Sequence, residues 1–370
     1  WEYVLLYVDD CLVISDNADN ILRVEIQKYW ELKEESIGPP KIYLGGQMRK
    51  VQLENGVSCW AFGSAQYVKT AVKNVEDYLE KKGESLPARA STPLSNGYRP
   101  EIDISDELDP DDAAYYQSLI GILRWMVELG RVDICTEVSM MSSHLALPRK
   151  GHLDQLFHLF GYLKKHHNAE MPFDPTEPEI NEEEFERQDW SRSVYGELDE
   201  ELPPNMPEPR GQAMRMRTYV DSDHAGESLT RRSRTGFIVF LNKAPIYWLS
   251  KKQQGCETST FGSEFVAMKQ ATEYIRGLRY KLRMMGIPCE EPTFVYGDNQ
   301  SVLANTTAPT SQLKKKSNSI AYHFVREGCA RDEWRTTYVK SDNNPADLMT
   351  KPLPSGEKRS RFVREMLWWL

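Results

Sequence analysis

The amino-acid sequence predicts a multi-domain protein that combines α/β and α+β layers, on three observations. Residues 1–82 hold short β-branched and aromatic runs followed by one amphipathic helix. Residues 114–171 read as helices joined by short connections. From about residue 213, three strands precede alternating helices and strands, which is the order of a mixed five-stranded sheet with flanking helices. A chain of 370 residues accommodates two or three such units. With 40% hydrophobic and 27% charged residues, disorder of the whole chain is excluded.

The elements follow in order. Tyr3-Val4-Leu5-Leu6-Tyr7-Val8, the pair Asp9-Asp10 and then Leu12-Val13-Ile14 predict a buried hairpin with acids at its tip. Asp19 or Asn20 is placed to cap a helix to about Lys33, with Ile21, Leu22, Ile26 and Trp30 on one stripe. Strands are expected over 41–51 and 57–62, divided by the turn Glu54-Asn55-Gly56. Ser64 opens a helix that carries Tyr67, Val68, Val72, Val75 and Leu79. Residues 83–113, rich in Pro, Gly, Ser and acids, read as a linker or long loop. Amphipathic helices are expected over about 112–130 and 151–167, the second lined by Leu153, Leu156, Phe157, Phe160 and Leu163. Residues 172–212 read as an acidic insertion or linker. Strands over 218–221, 235–241 and 246–249, a helix over about 262–286, a strand over 293–297, two helices, a strand over 335–339 and a short helix then make a domain over 213–355. Residues 356–370 remain as a tail.

The net charge of −9 argues against a nucleic-acid partner only at first sight. Asp174 to Arg210 holds thirteen acidic and three basic residues, so the remainder sums to about +1. The six cysteines are scattered without C-x-x-C pairs or zinc-ligand spacing, which fits a reduced compartment. No apolar run is long enough to cross a bilayer, and no signal-like segment opens the chain, so no membrane partner is expected. Trp1 at the head of a strand-like run reads as a start inside a domain.

Two sets of acids carry chemistry. Adjacent carboxylates Asp9 and Asp10 at the tip of an apolar hairpin repel unless a hard cation such as Mg²⁺ neutralises them; a solvated turn is the plainer alternative. The second set is Asp221, Glu264, Asp298 and Asp347. Asp221 and Asp298 end strands. Glu264 precedes Met268, Ala271, Ile275, Leu278, Leu282 and Met285 at spacings of three and four, so it falls on the buried face of its helix. Asp347 follows Pro345 in the first turn of a helix. Helix capping explains each acid singly, but four convergent carboxylates require cations.

Ordered motifs tie these acids to a family. Tyr7-Val8-Asp9-Asp10 resembles the Y-x-D-D box of reverse transcriptases. Leu44-Gly45-Gly46, Gln66-Tyr67-Val68, Ser91-Thr92-Pro93-Leu94, Tyr116-Gln117-Ser118-Leu119-Ile120-Gly121, Arg131-Val132-Asp133-Ile134 and Tyr162-Leu163-Lys164 are similar, in order, to segments of copia-type LTR retrotransposon (Pseudoviridae) Pol polyproteins. Tyr219-Val220-Asp221-Ser222-Asp223-His224-Ala225-Gly226 resembles the opening of their ribonuclease H domain. Trp248-Leu249-Ser250-Lys251-Lys252-Gln253, Gly297-Asp298-Asn299-Gln300-Ser301 and Asn344-Pro345-Ala346-Asp347 with Thr350-Lys351-Pro352-Leu353 match its later segments. Gly262 stands where the family has a first Glu, which leaves Glu264 for that site.

The resemblance implies a partial polymerase palm over 1–82, without its N-terminal part and fingers, a helical thumb or connection over 114–171, and an RNase H-like domain over 213–355. It implies catalytic and metal-ligating roles for Asp9 and Asp10, two of three palm carboxylates, and for the set Asp221, Glu264, Asp298 and Asp347. Two Mg²⁺ ions per active site would serve, with Mn²⁺ as substitute. The implied activities are hydrolysis of the RNA strand of RNA–DNA hybrids and, in the full-length protein, RNA-directed DNA polymerisation. The implied partners are hybrid, template-primer and the rest of the same polyprotein. An intracellular location follows, in a cytoplasmic virus-like particle with nuclear access. Lys314, Lys315, Lys316, Asn318 and Arg232 suit contacts to sugar and phosphate, and a solvated basic loop is the alternative. Intact motifs are equally compatible with a non-enzymatic relic that at most binds duplex.

Overall fold

The computed structural model describes residues 1–196, 198–313 and 318–369. Strands β1 (Tyr3–Tyr7) and β2 (Asp10–Ile14) pair antiparallel with Tyr7 opposite Asp10, so Val8 and Asp9 form the turn. The hairpin is present but not buried: Leu5 is 54% and Leu6 59% exposed. β1 and β2 make a two-stranded sheet of their own. Ties to the rest include Trp1, whose indole donates to the Glu208 carbonyl, Tyr3, whose hydroxyl donates to the Met285 carbonyl, and Asp10, whose carboxylate accepts from the Leu44 amide. These polar contacts leave Leu5 and Leu6 exposed. The next helix is also shorter than expected. Helix α1 (Ala18–Asn20) continues as a wide π-turn over Ile21–Ile26 and stops well before Lys33. None of its residues is buried, and a helix without a packed face lacks the tertiary support that lengthens short helices.

Strands β3 (Ile42–Tyr43), β4 (Gly46–Gln52) and β5 (Ser58–Gly63) form an antiparallel meander. Helix α2 (Ala65–Lys81) buries Val68, Ala71, Val72, Val75 and Leu79, the stripe its spacing predicts. Helix α3 (Pro110–Glu128) starts cleanly, because the Asp109 carboxylate accepts from the Asp111 and Asp112 amides and Pro110 occupies the first turn. Helices α4 (Cys135–Met141) and α5 (Lys150–Lys165) complete the block. One apolar core joins α2 to α3, α4 and α5, and it takes Ala90 and Leu94 from the intervening loop. Strand β6 (Ala169–Pro172) then pairs with β5.

The second five-stranded sheet is mixed. Strands β7 (Met216–Asp223), β8 (Arg234–Leu241) and β9 (Ala244–Lys252) are antiparallel neighbours. Helix α6 (Thr260–Met284) crosses to β10 (Thr293–Gly297), which lies parallel to β7. Helices α7 (Gln300–Thr307) and α8 (Ser319–Ala330) lead to β11 (Trp334–Tyr338), parallel to β10. The spatial order is β11-β10-β7-β8-β9. The continuous apolar run Phe237-Ile238-Val239-Phe240 in β8 is explained by burial on both faces. Phe237 and Val239 pack under α6, while Ile238 and Phe240 face a third core.

That third core joins the halves of the chain. It contains Val132 and Cys135 by α4, Met171 of β6, Leu348 and Met349 of helix α9 (Asp347–Thr350), and Phe362 and Val363 of helix α10 (Glu357–Arg364). Residues 356–370 are therefore more than a tail. They supply α10 and the edge strand β12 (Trp368–Trp369), which pairs with β6. A buried polar knot reinforces the seam. Arg131 grips the Asp133 carboxylate through two nitrogens (2.8 and 2.7 Å), the Tyr162 hydroxyl donates to it, and Arg359 donates to the Asp133 carbonyl.

The described residues of 172–212 are mostly irregular yet anchored as a strap. Phe185 packs edge-on against Phe294 and Tyr296, and Trp190 is buried in the α6 core. Glu200 binds Arg279 (2.7 Å) and Arg283, both on α6. An acidic composition that signals disorder in isolation is here neutralised by arginines presented from another element.

Candidate metal centre

Chain geometry brings three of the four C-terminal acids together. β7 and β10 are parallel neighbours with Gly297 opposite Val220, so Asp221 and Asp298 stand side by side where this pairing ends, although β7 itself runs on beside β8 to Asp223, past the strand end that the sequence predicts at Asp221. This edge, beyond the carboxyl ends of parallel strands, is a habitual site position in α/β sheets. Asn299, not Asp298, caps α7 by accepting from the Val302 amide. The Asp298 carboxylate is left for the edge, where the Ser341 hydroxyl donates to it (2.6 Å). Ser259 caps α6, so Glu264 is likewise not needed as a cap. It lies on the helix face that packs on the sheet through Phe265 and Met268. One carboxylate oxygen each from Asp221, Glu264 and Asp298 lies within 4.8 Å of the others.

Asp221 is 3% and Glu264 7% exposed. Burial pushes the Asp221 carboxyl up to about 7, with the charge of Asp347 adding to the effect and Lys351 opposing it. Burial, then the charges of Asp221 and Asp298, raise Glu264 well above its ordinary range. Among the described residues, no lysine or arginine forms an ion pair with any of the three. Clustered carboxylate oxygens, two of the three from buried side chains and none in an ion pair, fit a hard divalent cation.

Asp347 is placed differently. It is fully buried at the start of α9, and its carboxylate is 2.5 Å from the Lys351 ammonium and 2.5 Å from the Lys358 ammonium. It is close enough to raise Asp221 but stands outside the group of three. The loop before α9 is hooked to β7 by Asn344, whose side chain donates to the Val220 carbonyl. Thr350 donates to the Asp221 carboxylate. Gly236 of β8, opposite Asp221, allows this approach. A Cβ there would sit 2.6 Å from Met349 Cβ and from Thr350 Cγ2. Gly236→Ala is expected to lower stability by about 1–3 kcal/mol, the cost of overpacking a filled site. Urea denaturation monitored by circular dichroism checks it; an unchanged midpoint refutes this packing role.

The other sequence candidates stay apart from this centre. Asp9 and Asp10 are exposed at the hairpin turn, where the Asp10 carboxylate accepts from the Leu44 amide (3.1 Å). Among the described residues no third carboxylate joins them at metal-ligating distance. Arg232 is exposed. Asn318 is buried and its amide donates to the Gly262 carbonyl in the first turn of α6, so it supports the helix that carries Glu264. Lys314, Lys315 and Lys316 lie outside the described residues. Sequence reasoning did not single out Thr350, Lys351 or Lys358. Thr350 and Lys351 stood in a recognised motif without an assigned role, and Lys358 stood in the expected tail. Among the described residues, no helix is long and apolar enough to cross a membrane.

No protein-family model matches this chain. The retrovirus-related Pol polyprotein from transposon TNT 1-94 of Nicotiana tabacum is 23% identical over 361 residues, covering 95% of this chain and 23% of that protein. The retrovirus-related Pol polyprotein from transposon RE1 of Arabidopsis thaliana is 23% identical over 359 residues, covering 95% of this chain and 20% of that protein. The chain thus spans between a fifth and a quarter of the length of these curated relatives. Among solved structures, RNase H1 from Halobacterium salinarum NRC-1 aligns with 37% of this chain and 94% of its own, at 16% identity and a TM-score of 0.30. LC11-RNase H1 in complex with RNA/DNA hybrid aligns with 37% of this chain and 94% of its own, at 12% identity and a TM-score of 0.31. Along 95% of its length, this chain is a relative of the Pol polyproteins of copia-type retrotransposons.

Proposed function

We propose that residues 213–355 form a ribonuclease H-type nuclease that cuts the RNA strand of RNA–DNA hybrids with Mg²⁺, for which Mn²⁺ can substitute. The observation that carries this reading is the cluster of Asp221, Glu264 and Asp298 oxygens, the first two buried and the third half-buried, without an ion-pair partner among the described residues, where the pairing of β7 with β10 ends. These three residues would hold the cation, which when bound supplies Lewis acidity for a water nucleophile and for the leaving oxygen. The protein's part is positional. Ser341 orients Asp298, Thr350 orients Asp221, and the α6 core fixes Glu264. Selection of hybrid over duplex DNA would rest on the RNA 2′-hydroxyl and groove shape, not on base sequence.

The test is direct. The purified chain, given hybrid with a labelled RNA strand, is expected to release RNA fragments with Mg²⁺ and none with chelator, and to leave duplex DNA intact. A well-folded protein that is inert on hybrid would favour a relic that no longer catalyses.

In the same reading, Asp9 and Asp10 are two carboxylates of a polymerase palm within a longer polyprotein. With no third carboxylate beside them among the described residues, the 370-residue chain alone is expected not to extend a primer. Template-directed incorporation of dNTPs by this chain would refute that expectation.

A further inference from the structure

The treatment of Asp347 departs from that of the other three acids. Lys351 reaches its carboxylate from four residues along the chain, one turn away. Lys358 arrives from α10 and also lies 3.4 Å from Asp342. Two ammonium groups therefore converge on one carboxylate whose side chain is 1% exposed. The influence of Lys351 extends to the cluster of three acids, since its charge acts on both Asp221 and Glu264. The neighbouring Asp223 feels Lys351 first and then Arg234 and Arg99, which give it two further cations, and Asp342 is exposed to solvent.

The charge balance is informative. Four carboxylates (Asp221, Glu264, Asp298 and Asp347) face two ammonium groups, which leaves a formal −2, the charge of one divalent ion. A second divalent ion would overcompensate the centre and would have to break two close ion pairs in a desolvated site, where lost pairing is expensive. We propose that Lys351 and Lys358 take the place of a second cation at this centre. The free chain holds one divalent ion on Asp221, Glu264 and Asp298, while Asp347 stays bound to the lysines. This inference rests on the metal-dependent nuclease reading and departs from the two-ion site that family resemblance implies. Lys351 acts here as a positioning and charge-balancing residue.

Counting bound Mn²⁺ tests it without reference to activity. Electron paramagnetic resonance of free Mn²⁺, titrated against the full chain, is expected to show one ion per chain. The double variant Lys351→Met/Lys358→Met, with side chains of similar length but no charge, is expected to bind two. The single variant Lys351→Met keeps Lys358 on Asp347 and is expected to bind its one ion about fivefold more tightly, because a positive charge beside Asp221 and Glu264 is gone. If the double variant does not fold, the single variant still decides, and unchanged or weaker binding overturns the inference. Two ions on the wild type, or one on a folded double variant, also overturn it and leave the nuclease reading standing. No Mn²⁺ on the wild type removes both.

Discussion

Asp221→Asn and Asp298→Asn are each expected to lower Mg²⁺-dependent cutting of hybrid RNA by more than about 100-fold, the upper range for changes that touch only the shell around metal ligands. Each substitution preserves the side chain's shape and removes the charge that holds the cation. The surrounding contacts should survive, because an amide oxygen replaces the carboxylate oxygen. The new amide at position 221 can still accept from Thr350, and the one at position 298 can still accept from Ser341. Circular dichroism and thermal melts should therefore report an intact fold. His323→Ala is the contrasting case. Its imidazole pairs with the Tyr195 hydroxyl on the strap, and its loss should leave cutting nearly unchanged. Robust cutting by folded Asp298→Asn protein would overturn the metal-centre reading.

Without metal, the folded chain is expected to lose stability as the pH rises from about 5 to 8. The reason is linkage. Burial raises Asp221 to about 7, and Glu264 is raised well above its ordinary range. A carboxyl whose pKa is higher in the folded state than in the unfolded state binds protons preferentially when folded. Its contribution is complete below the unfolded pKa and disappears as pH passes through the folded pKa. A shift from about 4 to about 7 corresponds to a few kcal/mol, at about 1.4 kcal/mol per unit. A divalent ion reverses the trend, since it replaces protons on the same oxygens, and an ion at 100 times its dissociation constant adds about 2.7 kcal/mol. Melting curves in chelator should therefore fall between pH 5 and pH 8, Mg²⁺ should restore the pH 8 value, and Asp221→Asn should flatten the chelator profile and raise its pH 8 end. A flat wild-type profile in chelator, with no response to millimolar Mg²⁺, would show that these carboxylates are not the strained, metal-ready group described above.

Gly262 illustrates how local sequence and site chemistry connect. Where related motifs place a glutamate, this chain has a glycine whose amide is bonded by the Ser259 cap and whose carbonyl accepts from Asn318. The position serves the start of α6, and the helix delivers Glu264 further in.

Several elements were determined by the sequence alone, because their causes are local. The spacing of Val68, Val72, Val75 and Leu79 defines α2, and the register of Glu264 with Met268, Ala271 and Ile275 puts that carboxylate on the buried face of α6. The strand before Asp298 ends at Gly297 as its pattern requires. Tertiary structure alone decided the rest, because the partners are distant in the chain. The apolar hairpin over 1–15 stays exposed since no further strand pairs with it among the described residues. The acidic strap is ordered by Arg279 and Arg283, some eighty residues away from Glu200. The C-terminal segment closes a sheet begun near residue 42 and sends Lys358 onto Asp347. Periodicity reports which face of an element is apolar, and only the packed fold determines what covers that face and which charge meets which.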